Sequence, residues 1–162
     1  LYFCAMECIL LCVGKTDDRG LNELISTYQN RLKHYTKFSM IAIDDIKNSK
    51  HLSEVEQKQR EGKALQKHLK AGDRIVLLDE TGTSFSSLAF AEWMNKQQLS
   101  GIKRLVFIVG GPYGFSEELY RLAKQKISLS CMTFSHQMVR LFFVEQLYRA
   151  HTILKNVPYH HR

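Results

Sequence analysis

The chain has 162 residues, of which 44% are hydrophobic, and its formal net charge is +7. This length suits one domain with a real core. No apolar run approaches the roughly 18 residues of a membrane-spanning helix, and no secretory leader is recognisable, so we expect a cytoplasmic protein without a membrane partner. The positive charge favours a polyanionic partner such as a nucleic acid, although a basic enzyme without such a partner would carry the same charge.

The start of the chain and its cysteines carry little functional information. Residues 1–5 resemble the remnant of a protease-cleavage tag, so we expect one domain over residues 6–162. The cysteines Cys4, Cys8, Cys12 and Cys131 lack the spacing of a zinc site, and we expect no metal. We interpret them as reduced core thiols, with Cys8 and Cys12 on one face of a strand.

Hydrophobic periodicity predicts five alternations of strand and helix. Strands are predicted at residues 8–13, 40–46, 74–78, 105–109 and 127–129, and helices at 21–35, 53–69, 87–99, 117–126 and 136–154. Ser53 and Glu56 predict a capping box for the second helix, and residues 81–83 are expected to turn the chain after the third strand. This alternation is typical of one doubly wound α/β domain, with a mostly parallel sheet of five to six strands and helices on both faces.

The fifth helix is apolar on most sides. Its apolar positions are Met138, Val139, Leu141, Phe142, Phe143, Val144, Leu147 and Tyr148. Such a helix must be buried, and in a domain this small one side is expected to contact another subunit. Arg140, Glu145 and Arg149 are the polar exceptions, and the last two are spaced to pair on the helix surface.

Two glycine-containing segments could bind phosphate or a cofactor. The segment VGKT at 13–16 resembles the end of a P-loop, but Ile9 stands where the motif needs its first glycine, which argues against nucleotide hydrolysis. The segment GGPYG at 110–114 follows the fourth strand, where glycines let a ligand or a backbone approach closely. It lacks the dinucleotide-binding fingerprint, so a tight strand-to-helix connection remains an alternative.

Two further groups of reactive side chains allow more than one interpretation. Ser135, His136 and Glu145 could form part of a hydrolase site, but no nucleophile-elbow motif is present and Ser135 is better explained as a helix cap. Tyr159, His160 and His161 follow Pro158 at the end of the chain. They form either a functional tail or a frayed terminus.

Several segments, taken together and in order, resemble the RlmH family of SPOUT-superfamily methyltransferases. They are VGK at 13–15, LLDE at 77–80, FIVGG at 107–111, LSCMTF at 129–134, HQMVR at 136–140, EQLYRA at 145–150 and PYH at 158–160. The resemblance covers nearly all of residues 6–161, and its C-terminal segments are the most specific.

This resemblance implies a fold, an activity and partners. The fold would be a single-domain α/β knot whose C-terminal segment threads a loop, and the protein would be a homodimer with the fifth helix in its interface. The activity would be S-adenosylmethionine-dependent methylation of N3 of a pseudouridine in 23S ribosomal RNA on the assembled ribosome. A non-catalytic RNA-binding or ribosome-associated module of the same fold is the alternative that charge alone permits.

The resemblance also implies site residues. The cofactor contacts would be Leu78, Gly110, Gly111, Leu129, Ser130, Cys131, Met132, Thr133 and Phe134, with Cys131 departing from the longer or different side chain expected there. The catalytic neighbourhood would include Tyr159 and His160, which could reach the partner subunit's cofactor. Chemically, a histidine can accept the N3 proton near neutral pH, or Arg140 can stabilise the resulting anion.

Overall fold

The computed structural model describes residues 6–161 and confirms the predicted α/β class. Five strands form one parallel sheet in the order β2-β1-β4-β3-β5. The strands are β1 Glu7–Val13, β2 Lys37–Ile43, β3 Arg74–Ser84, β4 Arg104–Val109 and β5 Gln125–Ser128. The helices are α1 Arg19–Leu32, α2 Glu54–Gln66, α3 Ser87–Leu99, α4 Glu117–Leu122 and α5 Met138–Leu154, and a short 3₁₀ turn covers Ser49–His51.

Helices cover both faces of the sheet because its central strands are apolar on both sides. Alternate residues of β1 enter two separate cores: Cys8 and Cys12 face the helices α1, α3 and α5, whereas Leu11 faces α2 and α4. The two thiols therefore share one face, as predicted, and burial raises the pKa of each to about 12. Cys131 is exposed, so its assignment to the core was wrong, and Cys4 lies outside the described residues.

Strand β3 differs from the prediction at its carboxyl end. Residues 81–83 do not turn the chain away but remain in the strand, which bulges between Leu78 and Thr83 so that both pair with Ile127 of β5. Gly82 allows this geometry, because a Cβ atom there would lie 2.6 Å from the backbone nitrogen of Ile127. The bulge places Asp79 and Glu80 at the edge of the sheet.

Helix boundaries follow local capping. Ser53 and Glu56 form the predicted capping box of α2. Helix α4 ends at Leu122, earlier than predicted, because residues 125–128 are taken up by β5. Helix α5 begins at Met138, two residues later than predicted, and its N-cap is Gln137 instead of Ser135. Ser135 Oγ nevertheless accepts a hydrogen bond from the backbone nitrogen of Met138 at 3.2 Å in the turn before the helix.

Helix α5 packs against the sheet and against α1 and α3. Phe143, Val144 and Leu147 are fully buried, whereas Phe142 is 37% exposed. The helix therefore buries one side in the core and keeps an apolar position on its outer side. No helix within residues 6–161 has the length and apolar character needed to cross a membrane.

Candidate active site

The carboxyl ends of β3, β4 and β5 meet at one edge of the sheet. Leu78 at the regular end of β3 pairs with Val109 at the end of β4, and Leu78 also pairs with Ile127 of β5. The chain leaves β3 toward the face covered by α3, and it leaves β4 toward the face covered by α4. Open α/β sheets bind ligands at such a reversal of connection direction.

A cleft of about 580 Å³ occupies this position, within the range of roughly 300–1,000 Å³ that is typical of small-molecule sites. Three segments form most of its walls: residues 78–81 of β3, residues 109–115, and residues 127–136 without Cys131. Tyr120 and Val139 complete the lining. The side chains are mostly apolar or small, which leaves backbone groups within reach of a ligand.

The glycine loop has no space for side chains at two positions. A Cβ atom on Gly110 would lie 3.0 Å from the carbonyl oxygen of Gly114, and one on Gly111 would lie 2.5 Å from Glu61 Oε2. Gly114 has a φ of +83° and donates its backbone N–H to the carbonyl of Gly111 at 3.1 Å. The loop is therefore a tight turn in which the positive φ of Gly114 and the close contacts at Gly110 and Gly111 favour glycine.

Glu61 of α2 lies against the glycine loop at Gly111, and it was not predicted from the sequence. Its carboxylate is buried, accepts one hydrogen bond from Gln57 Nε2 at 2.9 Å, and leaves Oε2 without a partner in the described structure. Burial raises the pKa of this carboxyl, and Asp45 adds to the increase although the bond from Gln57 opposes it. Glu61 lies in a charged helix that the sequence suggests is mostly solvated, so only the fold reveals its burial.

Hydrogen bonds link the loop of residues 129–134 to its neighbours. Ser128 Oγ donates to the carbonyl of Ser130 at 2.8 Å, and the backbone nitrogen of Met132 donates to Ser130 Oγ at 2.9 Å. Thr133 Oγ1 donates to Glu80 Oε2 at 2.6 Å. This last bond joins the end of β3 to the loop across the cleft.

Asp79 and Tyr120 form a second polar link in the cleft wall. Tyr120 donates to Asp79 Oδ2 at 2.6 Å, and Thr81 donates to Asp79 Oδ1 through both its backbone and its hydroxyl. Burial opposes ionisation of Asp79, but these bonds and nearby Lys126 outweigh it and lower the pKa of the carboxyl. Burial and the bond to Asp79 raise the pKa of the Tyr120 phenol. Asp79 therefore stays ionised while Tyr120 stays neutral.

Most of the predicted cofactor residues meet in this cleft. Those that line it are Leu78, Gly110, Gly111, Leu129, Ser130, Met132, Thr133 and Phe134. Cys131 is exposed and does not line the cleft. Asp79, Glu80, Tyr120 and His136 line it without having been predicted as site residues, although Asp79 and Glu80 directly follow a buried strand, a position that could have indicated them.

Arg140 lies outside the cleft lining, and its guanidinium group is fully buried. It donates to the carbonyls of Val13 at 2.6 Å and Gly14 at 2.9 Å, to Thr16 Oγ1 at 3.0 Å and to the carbonyl of His136 at 3.2 Å. The segment that resembled a P-loop is thus the anchor of this arginine. A direct catalytic role for Arg140 stays a prediction.

The C-terminal tail packs beside the second half of α5. Tyr159 donates its hydroxyl proton to Glu145 Oε1 at 2.9 Å, and Tyr28 Oη lies 3.2 Å from Tyr159 Oη. The guanidinium carbon of Arg149 lies 4.6 Å from the centre of the Tyr159 ring. His160 Nδ1 lies 3.4 Å from Arg149 Nη1, and the predicted pair of Arg149 with Glu145 is present.

The tail and the cleft are separated along α5. Val139 lines the cleft, and Arg149 lies ten residues further along the helix, about 15 Å away along its axis. Neither Tyr159 nor His160 lines the cleft of its own chain. Glu145 also lies outside the lining, so Ser135, His136 and Glu145 do not gather into one site.

Comparisons with known proteins identify the family. A family model described as "Predicted SPOUT methyltransferase" matches residues 6–160. The chain belongs to the SPOUT methyltransferase family. As a SPOUT methyltransferase it is an enzyme, and its parallel sheet flanked by helices suits that assignment.

Curated relatives of this methyltransferase span almost the whole chain. A protein of Christiangramia forsetii is 58% identical over 94% of the chain and 98% of its own length. Proteins of Flavobacterium johnsoniae and Parabacteroides distasonis are 55% and 56% identical over at least 96% of the chain and 99% of their own lengths. All three are named ribosomal RNA large subunit methyltransferase H.

Proposed function

We propose that the chain transfers a methyl group from S-adenosylmethionine to N3 of a pseudouridine in 23S ribosomal RNA. The cleft at the carboxyl edge of β3, β4 and β5 carries this proposal, because it gathers most of the residues that the family resemblance implies for the cofactor. The names of the full-length relatives support ribosomal RNA as the substrate.

The residues of the cleft fit this cofactor. Leu78, Leu129 and Met132 offer apolar walls for an adenine ring, and the turn at Gly110 and Gly111 exposes backbone groups to hydroxyl and amino groups. Within residues 6–161 no three His, Cys, Asp or Glu side chains gather to hold a metal ion. The site therefore offers shape and hydrogen bonding for an organic cofactor.

When bound, S-adenosylmethionine supplies a methyl group that is activated by a positively charged sulfur. The protein must align N3 of the base with that methyl group, and positioning supplies much of the acceleration in such displacements. Two hydrogen bonds hold the walls of the cleft together. Thr133 donates to Glu80, and Tyr120 donates to Asp79. A braced wall keeps the reacting atoms aligned.

The N3 proton needs an acceptor, and the tail offers two candidates with different properties. Burial raises the pKa of the Tyr159 phenol, and its bonds with Tyr28 and Glu145 add to the increase. Tyr159 is therefore neutral near pH 7 and acts as a hydrogen-bond donor. His160, beside Arg149, is the better candidate for the acceptor because an imidazole ring nitrogen can accept a proton.

The position of the tail supports a homodimer. Tyr159 and His160 do not line the cleft of their own chain, and they contact Glu145 and Arg149, about 9 Å and 15 Å beyond Val139 along the axis of α5. If these residues act in catalysis, we propose that a second copy brings its tail to the cofactor. Helix α5, with the partly exposed Phe142, is the proposed contact between the copies. A knotted path of the C-terminal segment is likewise expected from the family resemblance.

Ribosomal RNA is proposed as the substrate from the net charge of the chain and from the names of its relatives. The net charge of +7 suits binding to ribosomal RNA by counterion release. We expect the enzyme to act on assembled ribosomes, in the cytoplasm where ribosomes lie.

A labelled-methyl assay tests the proposal. Ribosomes from a strain without this activity are incubated with the purified protein and methyl-labelled S-adenosylmethionine, in parallel with a Gly110→Trp variant that fills the glycine loop. We expect label in large-subunit RNA with the unchanged protein only. Salt-sensitive RNA binding without methyl transfer would instead favour the non-catalytic module.

A further inference from the structure

The cofactor cleft has a charge opposite to that of the whole chain. Lys and Arg make up 23 of the 162 residues, yet none of the 22 residues that line the cleft is Lys or Arg. Asp79 and Glu80 lie in that lining, and His136 is its only other titratable group besides two tyrosines. A cleft of this composition favours a positively charged occupant over a neutral one.

Neighbouring groups of the protein already bind the carboxylate of Asp79 and offset its charge. It accepts hydrogen bonds from Thr81 and Tyr120, and Lys126 lies close enough to donate to Thr81 Oγ1 at 2.9 Å. This neighbouring ammonium offsets much of the field of Asp79 in the cleft. Asp79 therefore contributes mainly to the shape of the wall.

The charge of Glu80 is not offset in this way. Its Oε2 accepts a hydrogen bond from the neutral hydroxyl of Thr133, and no ion pair of Glu80 occurs within residues 6–161. The bond to Thr133 holds the carboxylate at the rim of the cleft, between the end of β3 and the segment of residues 127–136. Glu80 is an exposed residue that lines the cleft, so its negative charge lies between the solvent and whatever the cleft holds.

We propose that Glu80 makes the cleft selective for the sulfonium form of the cofactor over the neutral thioether that remains after methyl transfer. This inference rests on the proposed function. S-adenosylmethionine and S-adenosylhomocysteine share the adenosine and the amino-acid group, and they differ by one methyl group and one positive charge. Contacts with the shared parts bind both molecules equally. A carboxylate, in contrast, attracts the positive charge that only S-adenosylmethionine carries.

The selectivity has a consequence for turnover. Methyl transfer would break the S–C bond of the sulfonium, form the N3–C bond and pass the N3 proton to an acceptor, while the sulfur would keep the electron pair and become neutral. The attraction to Glu80 disappears at that moment, so the spent cofactor leaves more readily than a fresh one. Product inhibition is weaker than it would be in a cleft without this charge.

Calorimetry with both molecules tests the role of Glu80. In Glu80→Gln the amide can still accept the bond from Thr133, but the charge is gone. We expect its affinity for S-adenosylmethionine to fall about tenfold while its affinity for S-adenosylhomocysteine changes less than about twofold; tenfold corresponds to ~1.4 kcal/mol.

Two further variants serve as controls. Glu92→Gln removes the same charge from an exposed position on α3 outside the cleft and should change neither affinity. Thr133→Val keeps the carboxylate but removes the hydrogen bond that holds it, so its preference for the charged cofactor should lie between those of the unchanged protein and Glu80→Gln. Raising the salt concentration should reduce that preference in the unchanged protein and leave Glu80→Gln nearly unaffected.

The outcomes separate this inference from the proposed function. If the unchanged protein binds neither molecule, the proposed cofactor itself is wrong. If it binds both and Glu80→Gln weakens both equally, or weakens neither, the cofactor stands and the role of Glu80 is overturned.

Discussion

The buried guanidinium of Arg140 allows a direct test of whether this residue is structural or catalytic. The proposed change is Arg140→Met, which keeps much of the volume but removes every donor. Two of the acceptors, the carbonyls of Val13 and Gly14, are buried at the end of β1. The substitution leaves these carbonyls without the partner that they have now.

The expected loss follows from these bonds. Hydrogen bonds to a charged group contribute about 1.5–3 kcal/mol each, and the buried carbonyls add the cost of desolvation without a partner. Part of this loss is offset, because the substitution also removes a buried positive charge. No carboxylate is among the hydrogen-bond partners of that charge. We therefore expect the free energy of unfolding to fall by about 3–5 kcal/mol.

The assay is urea unfolding followed by circular dichroism at one fixed protein concentration, since a dimer's stability depends on concentration. Arg140→Lys should lose less, because an ammonium group can keep some of the bonds but not the planar fork. Arg121→Met is the control: its pair with Glu117 is exposed, and we expect a change below about 0.5 kcal/mol. Unchanged stability of Arg140→Met together with lost methyl transfer would refute the structural role and favour the catalytic one.

Three other predictions address the loop, the tail and pH. Gly111→Ala should weaken S-adenosylmethionine binding by up to about tenfold by calorimetry, because its Cβ would lie 2.5 Å from Glu61 Oε2 and the loop or the Glu61 side chain would have to shift; unchanged affinity would contradict this. Deleting residues 159–162 should abolish methyl transfer and leave cofactor binding intact, and full activity would contradict the role of the tail. Burial lowers the pKa of His151 to about 4, with Lys155 adding to the decrease. The unfolded state then binds more protons between about pH 6.5 and 4, so the contribution of His151 is present above this window and is lost as pH falls through it. Wild-type protein should lose about 2–3 kcal/mol more than His151→Phe across that window, and equal losses would show that His151 does not titrate as described.

The architecture could be predicted from the sequence because its strands are apolar runs and its helices carry their own caps. The capping box at Ser53 and the buried strand at residues 104–109 are local patterns, and both were located correctly. The end of β3 could not be predicted in this way. Thr81, Gly82 and Thr83 favour a turn locally, but pairing with β5 keeps them in the sheet.

The site was predicted only in part, for a similar reason. The glycines at 110–111 and the loop at 129–134 could be assigned from the family resemblance, and all but Cys131 line the cleft. Glu61 belongs to a helix whose charged sequence looks solvated, and Tyr120 belongs to a helix in which no site residue was predicted. Only the packing of α2 and α4 brings them beside the cleft. The burial of Arg140 has the same origin, since three of its four hydrogen-bond partners lie more than 120 residues earlier in the chain.

Mass spectrometry of large-subunit ribosomal RNA tests the central claim most directly. Ribosomes from a strain without this activity are analysed before and after incubation with the purified protein and S-adenosylmethionine. The account predicts that one pseudouridine becomes heavier by one methyl group, and that fragmentation places this group on N3. Unchanged RNA under conditions in which calorimetry shows cofactor binding, or a methyl group on any other nucleotide, would contradict it.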